Sequence, residues 1–143
     1  MNETETMRAM LATAKIIAVV GLSDNAGKAS HGVSRIMQRC GYRVVGVNPA
    51  HEGKILGEPC YPTLAALVAA EGKPDIVNVF RLPRYIPTIV DEMIDLGLEN
   101  LWVQQGIEHE GAALRAEGAG IRVVMDRCIM IEHSRLLPAK GML

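Results

Sequence analysis

Residues 16–20 limit this chain to few folds, because they form an apolar run that does not alternate with polar residues. The run Ile16–Val20 is closed by Gly21, as expected of a strand that helices cover on both faces in a parallel sheet. A polar loop follows, and then comes the i, i+3, i+4, i+7 spacing of an amphipathic helix. Four residues carry that spacing: Val33, Ile36, Met37 and Cys40.

The same order of strand and helix continues to the end of the chain. Further strands are predicted at Arg43–Val47, Asp75–Phe80, Asn100–Gln104 and Ile121–Met125. Between and after them, helices are predicted over Thr63–Ala70, Ile86–Gly97 and Glu108–Glu117, with a closing turn or helix over Cys128–Leu137. Strands that alternate with helices form right-handed βαβ units. The expected fold is a doubly wound, Rossmann-like α/β domain with a five-stranded parallel sheet and helices on both faces.

Length and composition suit one such domain over residues 1–143. An amphipathic helix is expected in residues 1–14 and the domain core in residues 15–137. Hydrophobic residues make up 49% of the chain, but no apolar run approaches the roughly 18 residues of a membrane span. Three cysteines at unrelated spacings indicate reduced thiols and a cytoplasmic location. A net charge of −1 provides no general attraction for nucleic acid, so the expected ligand is a small molecule.

The first loop has the composition of a phosphate-binding loop. Gly21 lets the chain leave its strand tightly, and a side chain there is expected to crowd a ligand. Ser30 is the predicted N-cap of the following helix, whose free N–H groups and positive dipole end favour a phosphate. Lys28 adds a cation, while Ser23 and Asn25 add donors. The alternative is a plain connecting turn, and the order of strand, loop and helix favours the phosphate site over it.

Two common nucleotide motifs do not fit. A dinucleotide fingerprint needs a second glycine where Ser23 stands, and an acid after the second strand, where Asn48 stands. An ATPase P-loop has four residues between its glycines, but Gly21 and Gly27 enclose five, and Ala29 replaces the magnesium-binding hydroxyl. Both NAD and ATP are therefore disfavoured.

Coenzyme A fits a phosphate site of this kind. Its adenosine carries a 3′-phosphate, which a carboxylate would repel and a cation would attract. The cations nearest the predicted strand ends are Lys28, His51, Lys54 and Arg81. Which of them meets the 3′-phosphate stays open.

Seven segments in sequence order resemble the CoA-binding domain family. Its members are small stand-alone proteins that are similar to the N-terminal domain of the α subunit of succinyl-CoA synthetase. The resemblance covers about residues 15–137. The segments are Val20–Ser23, Gly41–Val44, Val47–Pro49, Ile55–Glu58, Val79–Arg81, Trp102–Gly106 and Val124–Cys128.

The resemblance implies CoA contacts at the ends of four strands. With the first-loop residues above, the expected cofactor-binding set is Gly21, Leu22, Ser23, Asp24, Asn25, Ala26, Lys28, Ser30, Asn48, Pro49, His51, Phe80, Arg81, Val103, Gln104 and Gln105. Two positions depart from the family pattern. Gly27–Ala29 replaces a segment that commonly contains proline and arginine, and His51 replaces a lysine of the synthetase. Neutral histidine carries no charge, so a phosphate contact there would be weaker at pH 7.

No catalytic or metal-binding residue is assigned. The synthetase's phosphorylated histidine belongs to a second domain that has no counterpart here, and the histidines of this chain lack its context. The chain is therefore interpreted as a CoA-binding or acyl-CoA-binding protein that acts as a carrier, a sensor or a partner of acyl-transfer enzymes. Three alternatives stay open: an acyl-CoA-handling enzyme that uses Cys128 or Asp126, an NAD(P)-binding redox or regulatory module, and an interaction domain without a ligand.

Overall fold

A computed structural model describes residues 2–137 of the chain. Its helices are α1 (Glu3–Thr13), α2 (Ala29–Arg39), α3 (Leu64–Glu71), α4 (Ile86–Leu96), α5 (Glu110–Gly118) and α6 (Ile129–Leu136). Its strands are β1 (Ile16–Val20), β2 (Arg43–Val47), β3 (Lys54–Ile55), β4 (Glu58–Tyr61), β5 (Ile76–Val79), β6 (Asn100–Val103) and β7 (Arg122–Val124). A single 3₁₀ turn, Pro83–Tyr85, precedes α4.

The strands form one sheet in the order β3-β4-β2-β1-β5-β6-β7. The six strands from β4 to β7 are parallel, and only β3 runs antiparallel, beside β4. At the centre, Val20 of β1 lies between Val47 of β2 and Val79 of β5. The chain moves outward from β1 in one direction and then in the other, so the strand order reverses there. Ligands of open α/β sheets bind at such a point, outside the carboxyl ends of the strands.

Helices cover both faces of the sheet. On one face, α3, α4 and α5 pack on a buried layer that includes Ala18, Val77 and Val103. On the other face, α1, α2 and α6 pack on a layer that includes Ile17 and Trp102. Alternate residues of the same strand thus face opposite layers, which explains why the strands read as continuous apolar runs.

The expectation of five strands is wrong in number, because residues 2–137 form seven. Both additional strands lie in residues 54–61, where β3 and β4 form a hairpin at the edge of the sheet. Its turn places Leu56 and Gly57 at φ angles of 54° and 81°, and two positive φ angles are typical of a tight hairpin turn. Leucine is a rare residue for that backbone, and β4 contains Pro59, so the usual sequence signals of a hairpin are missing.

The predicted α/β class agrees with the structure, and the predicted helices match the observed ones to within two residues at each end. Thr63 is the N-cap of α3, since its Oγ1 accepts a hydrogen bond of 3.0 Å from the backbone N–H of Ala66. Gly97 ends α4 in the left-handed conformation, at φ 68°, as glycine commonly does after a helix. Over residues 2–137, none of the helices combines the length and apolar character that crossing a bilayer requires.

Candidate functional site at the carboxyl edge of the sheet

The carboxyl end of β1, called here the mouth of β1, is formed around Gly21. This residue has φ +91°, and its N–H donates to the carbonyl of Val47 at 2.9 Å. A Cβ atom at position 21 would lie 2.5 Å from the carbonyl oxygen of Phe80 and 3.1 Å from Cδ of Arg81. A side chain here would therefore collide with the protein itself before it met a ligand. Glycine brings the ends of β1, β2 and β5 into contact.

The loop after Gly21 is held by its own polar groups. The backbone N–H of Asn25 donates to Oγ of Ser23 at 3.0 Å, and the N–H of Gly27 donates to Oδ1 of Asn25 at 2.8 Å. Leu22 anchors the loop in the core, where it is fully buried. Two short side-chain turns of this kind fix the backbone without a regular element. The polar side chains of Ser23 and Asn25 thus shape the loop.

The N-terminus of α2 leaves backbone donors free. Among residues 2–137, the N–H groups of Ala26, Ala29 and Ser30 have no hydrogen-bond partner. Lys28 occupies the N-cap position and makes no side-chain cap. Its side chain is exposed, and it forms no ion pair within the described residues. Free N–H groups, a helix dipole and an unpaired cation together favour an anion.

The prediction that Ser30 caps this helix is wrong. Ser30 is the second residue of α2, and its hydroxyl accepts a hydrogen bond of 3.0 Å from the backbone N–H of Ser23. The side chain is 6% exposed and ties the loop to the first turn of the helix. Its hydroxyl oxygen is thus engaged by the loop, and its backbone N–H has no hydrogen-bond partner within residues 2–137.

The end of β2 faces the same loop. Nδ2 of Asn48 donates to the carbonyl of Leu22 at 3.0 Å, and Oδ1 accepts from the N–H of Ala50 at 2.9 Å. Nδ1 of His51 lies 3.6 Å from Oδ2 of Asp24, while Nε2 lies 3.3 Å from the carbonyl of Lys54. Asn48 is thus a structural link between the two strand ends, and His51 lies beside the carboxylate of Asp24.

Pro49 is exposed beside this link, where the ring adds rigidity to the turn. Lys54 is also exposed, at the start of β3.

The end of β5 carries a pair of arginines and a tyrosine. The guanidinium of Arg81 lies 4.0 Å above the ring of Tyr85, and that of Arg84 lies 4.9 Å from the same ring. Nη2 of Arg84 also donates to the Tyr85 hydroxyl at 3.2 Å, and this cation lowers the pKa of Tyr85. Neither arginine has a carboxylate partner in residues 2–137. Sequence reasoning missed Tyr85, although its i+4 spacing from Arg81 was a readable signal.

Most of the contact residues predicted at the end of β6 are buried in the core. Val103 is fully buried. Gln104 is 5% exposed, and its Oε1 accepts a hydrogen bond of 3.0 Å from the N–H of Ile129, the first residue of α6. Only Gln105 is exposed. Of the three predicted contacts on this strand, Gln105 is therefore the one whose side chain a ligand can reach.

A small pocket of about 300 Å³ lies beyond β6, at the end of β7. It is lined by Gln105, Asp126, Arg127, Cys128, Ile131 and Glu132. Asp126 adopts φ 60° and accepts a hydrogen bond of 2.7 Å from the N–H of Gly106. A left-handed aspartate is uncommon, and strain of this kind is frequent beside ligand sites.

The arrangement presents backbone donors and cations at one edge of the sheet. Within residues 2–137, no cluster of histidine, cysteine, aspartate or glutamate has the geometry of a metal site. His109 caps α5, since its Nδ1 accepts from the N–H of Ala112 at 3.0 Å. His133 packs edge-on against the ring of Tyr42, and burial lowers its pKa. Both histidines thus have structural roles.

Comparison with known proteins identifies related chains. Residues 15–134 match the family model described as a CoA binding domain. YneT of Bacillus subtilis (strain 168), an uncharacterized protein, is 37% identical over 128 residues, which cover 90% of this chain and 92% of YneT. The ADP-forming acetate–CoA ligase I of Archaeoglobus fulgidus is 28% identical over 148 residues, which cover 89% of this chain and 21% of the ligase.

Solved structures show the same fold. A Thermus thermophilus protein, solved as cell-free ID.343, superposes with a TM-score of 0.88 at 38% sequence identity, covering 96% of this chain and all of that one. The NAD-bound WlbA dehydrogenase of the same organism has a TM-score of 0.55 at 15% identity, covering 78% of this chain and 40% of that one. The second likeness concerns the fold alone.

Proposed function

This chain belongs to the CoA-binding domain family, and we propose that it binds coenzyme A or an acyl-CoA at the carboxyl edge of its sheet. The observation that carries the proposal is the set of free N–H groups at Ala26, Ala29 and Ser30, beside the mouth of β1. The diphosphate of CoA occupies this position. Lys28, which is exposed and unpaired within the described chain, adds positive charge to it.

The end of β2 favours CoA over NAD. A carboxylate that holds the ribose hydroxyls of NAD has no counterpart here, because Asn48 uses its amide to link Leu22 and Ala50. The 3′-phosphate of CoA instead needs nearby cations. Arg81 has no carboxylate partner among residues 2–137, whereas His51 lies against Asp24. Arg81 is therefore the stronger of these two candidates for the 3′-phosphate.

The biological role that follows is binding without chemistry. His109 and His133 have structural roles, and Cys128 is buried against the core. The protein acts as a carrier or sensor of CoA, or as a partner of an acyl-transfer enzyme, in a cytoplasm that keeps its thiols reduced.

Two measurements test the proposal. Native mass spectrometry of freshly purified protein is expected to show a bound CoA or acyl-CoA. Isothermal titration calorimetry is expected to show CoA binding more tightly than dephospho-CoA, and both more tightly than NAD. NAD binding as tight as CoA would favour a redox module and overturn the proposal. Equal affinities for CoA and dephospho-CoA would remove only the 3′-phosphate contact.

A further inference from the structure

Two cavities meet at one exposed side chain of α6. One is the small pocket of about 300 Å³ at the end of β7. The other is a groove of about 1070 Å³ that runs between α1, α2 and α6. Ile131 lines both cavities and is 51% exposed. Because one apolar side chain borders both, the two cavities adjoin at Ile131 of α6.

The groove has the surface of a site for an apolar ligand. Leu11, Ile36, Met130 and Leu137 contribute to its lining, and among residues 2–137 no carboxylate does. Its charged lining residues are Arg39 and Arg135, and Arg135 is paired with Glu132. Burial lowers the pKa of His133, and the hydroxyl of Tyr42 donates to the carbonyl of Leu11. Its volume slightly exceeds the ~300–1,000 Å³ that clefts for small molecules enclose.

The small pocket lies where the far end of a bound CoA would arrive. β1, β5, β6 and β7 are successive neighbours in the sheet, and strands lie about 4.8 Å apart, so β7 is about 14 Å from β1. A pantetheine arm that starts at the mouth of β1 and follows the carboxyl edge passes Gln105, which lines this pocket. A group attached to its sulfur would continue past Ile131.

We propose that the groove binds the hydrocarbon chain of an acyl-CoA, with the thioester in the small pocket. The inference rests on the proposed CoA site and names its substrate class, which is CoA thioesters of medium and long apolar chains. A short acyl group would end in the small pocket and leave the groove empty.

The affinity is then expected to rise with chain length. Full burial is worth about fourfold in affinity for each methylene. If half of that free energy is realised in an open groove, the gain is about twofold per methylene. Decanoyl-CoA, with six more methylenes than butyryl-CoA, would bind roughly 60-fold more tightly.

The test compares two exposed apolar residues on opposite faces of the sheet. Ile131 borders the groove, while Leu114 on α5 is 63% exposed and belongs to the other face. CoA, butyryl-CoA and decanoyl-CoA are titrated into the full chain below their micellar concentrations. Ile131→Asp is expected to remove most of the preference for decanoyl-CoA over butyryl-CoA. Leu114→Asp is expected to keep the preference, and circular dichroism confirms that both variants fold.

Every outcome is decisive. Equal binding of butyryl-CoA and decanoyl-CoA by the wild type would overturn the inference. A preference that survives Ile131→Asp, or falls equally with Leu114→Asp, would also overturn it, because the chain would then lie elsewhere. The affinity for CoA itself separates the two proposals. If CoA binds but chain length has no effect, only the groove assignment fails, whereas absence of CoA binding refutes the proposed function as well.

Discussion

Removing the side chain of Lys28 tests how much of the free energy of CoA binding comes from this side chain and how much from the backbone N–H groups of the proposed phosphate site. Lys28 stands at the N-cap position of α2 and is exposed. Three free N–H groups lie on the adjoining loop and helix turn. Lys28→Ala therefore removes one charged contact and leaves the backbone donors in place. The expected loss is about 1–2 kcal/mol, the range of a partly solvated charge-assisted hydrogen bond.

That free energy corresponds to a Kd for CoA about 5- to 30-fold higher. Isothermal titration calorimetry at two salt concentrations measures it, because loss of a cation also reduces the salt dependence of binding. Lys73→Ala is the matched control. Lys73 lies between α3 and β5, close to Gly97 at the opposite edge of the sheet, so its removal is expected to leave both quantities unchanged.

Two results would contradict the reasoning. An unchanged Kd with an unchanged salt dependence would show that Lys28 does not contact a phosphate. A loss above about a hundredfold, far outside the range of one such hydrogen bond, would show that the side chain dominates and that the backbone donors do not hold the diphosphate.

Two further predictions concern Gly21 and His133. Gly21→Ala is expected to destabilise the fold by about 1–2 kcal/mol more than Gly53→Ala in urea unfolding. Both glycines have φ +91°, but only at position 21 would a Cβ meet the Phe80 carbonyl, so equal losses would refute a role for that contact. Burial lowers the pKa of His133, so the unfolded chain binds a proton first as the pH falls. Stability should therefore decrease below the unfolded-state pKa of about 6.5 and level off below the folded-state value. Urea unfolding across this pH range should show a smaller decrease in His133→Gln, and an identical decrease would assign the effect to another group.

Local sequence patterns were sufficient for the main elements of the fold. The unbroken apolar run of β1 requires cover on both faces, and the spacing of α2 requires one buried side, so strand, helix and α/β class could be predicted together. An N-cap such as Thr63 bonds to a backbone group within one helical turn, so it can be predicted from neighbouring residues in the sequence. The polar loop at the carboxyl end of β1 could be predicted from the same local order, since the glycine that closes this buried strand is followed by a loop and then by a helix N-terminus.

Contacts between segments far apart in the chain decided the rest. The hairpin of β3 and β4 pairs with β2 at the edge of the sheet, and its Leu56 turn accepts a hydrogen bond from Gln38 of α2 at 2.9 Å. No sequence pattern within residues 54–61 predicts either contact. Ser30 bonds to Ser23 because the loop folds back onto the helix, which the preference of serine for N-caps cannot foresee.

The cavities have the same origin. In the sequence, Ile131 is one apolar residue of a short predicted helix. Its place in the lining of the groove depends on the packing of α1 and α2 near α6. Sequence by itself determined that β1 ends in a polar loop that leads into a helix N-terminus, because these features are built from consecutive residues. Tertiary structure decided what lies around that loop, because the walls around it come from helices at both ends of the chain that pack on one face of the sheet.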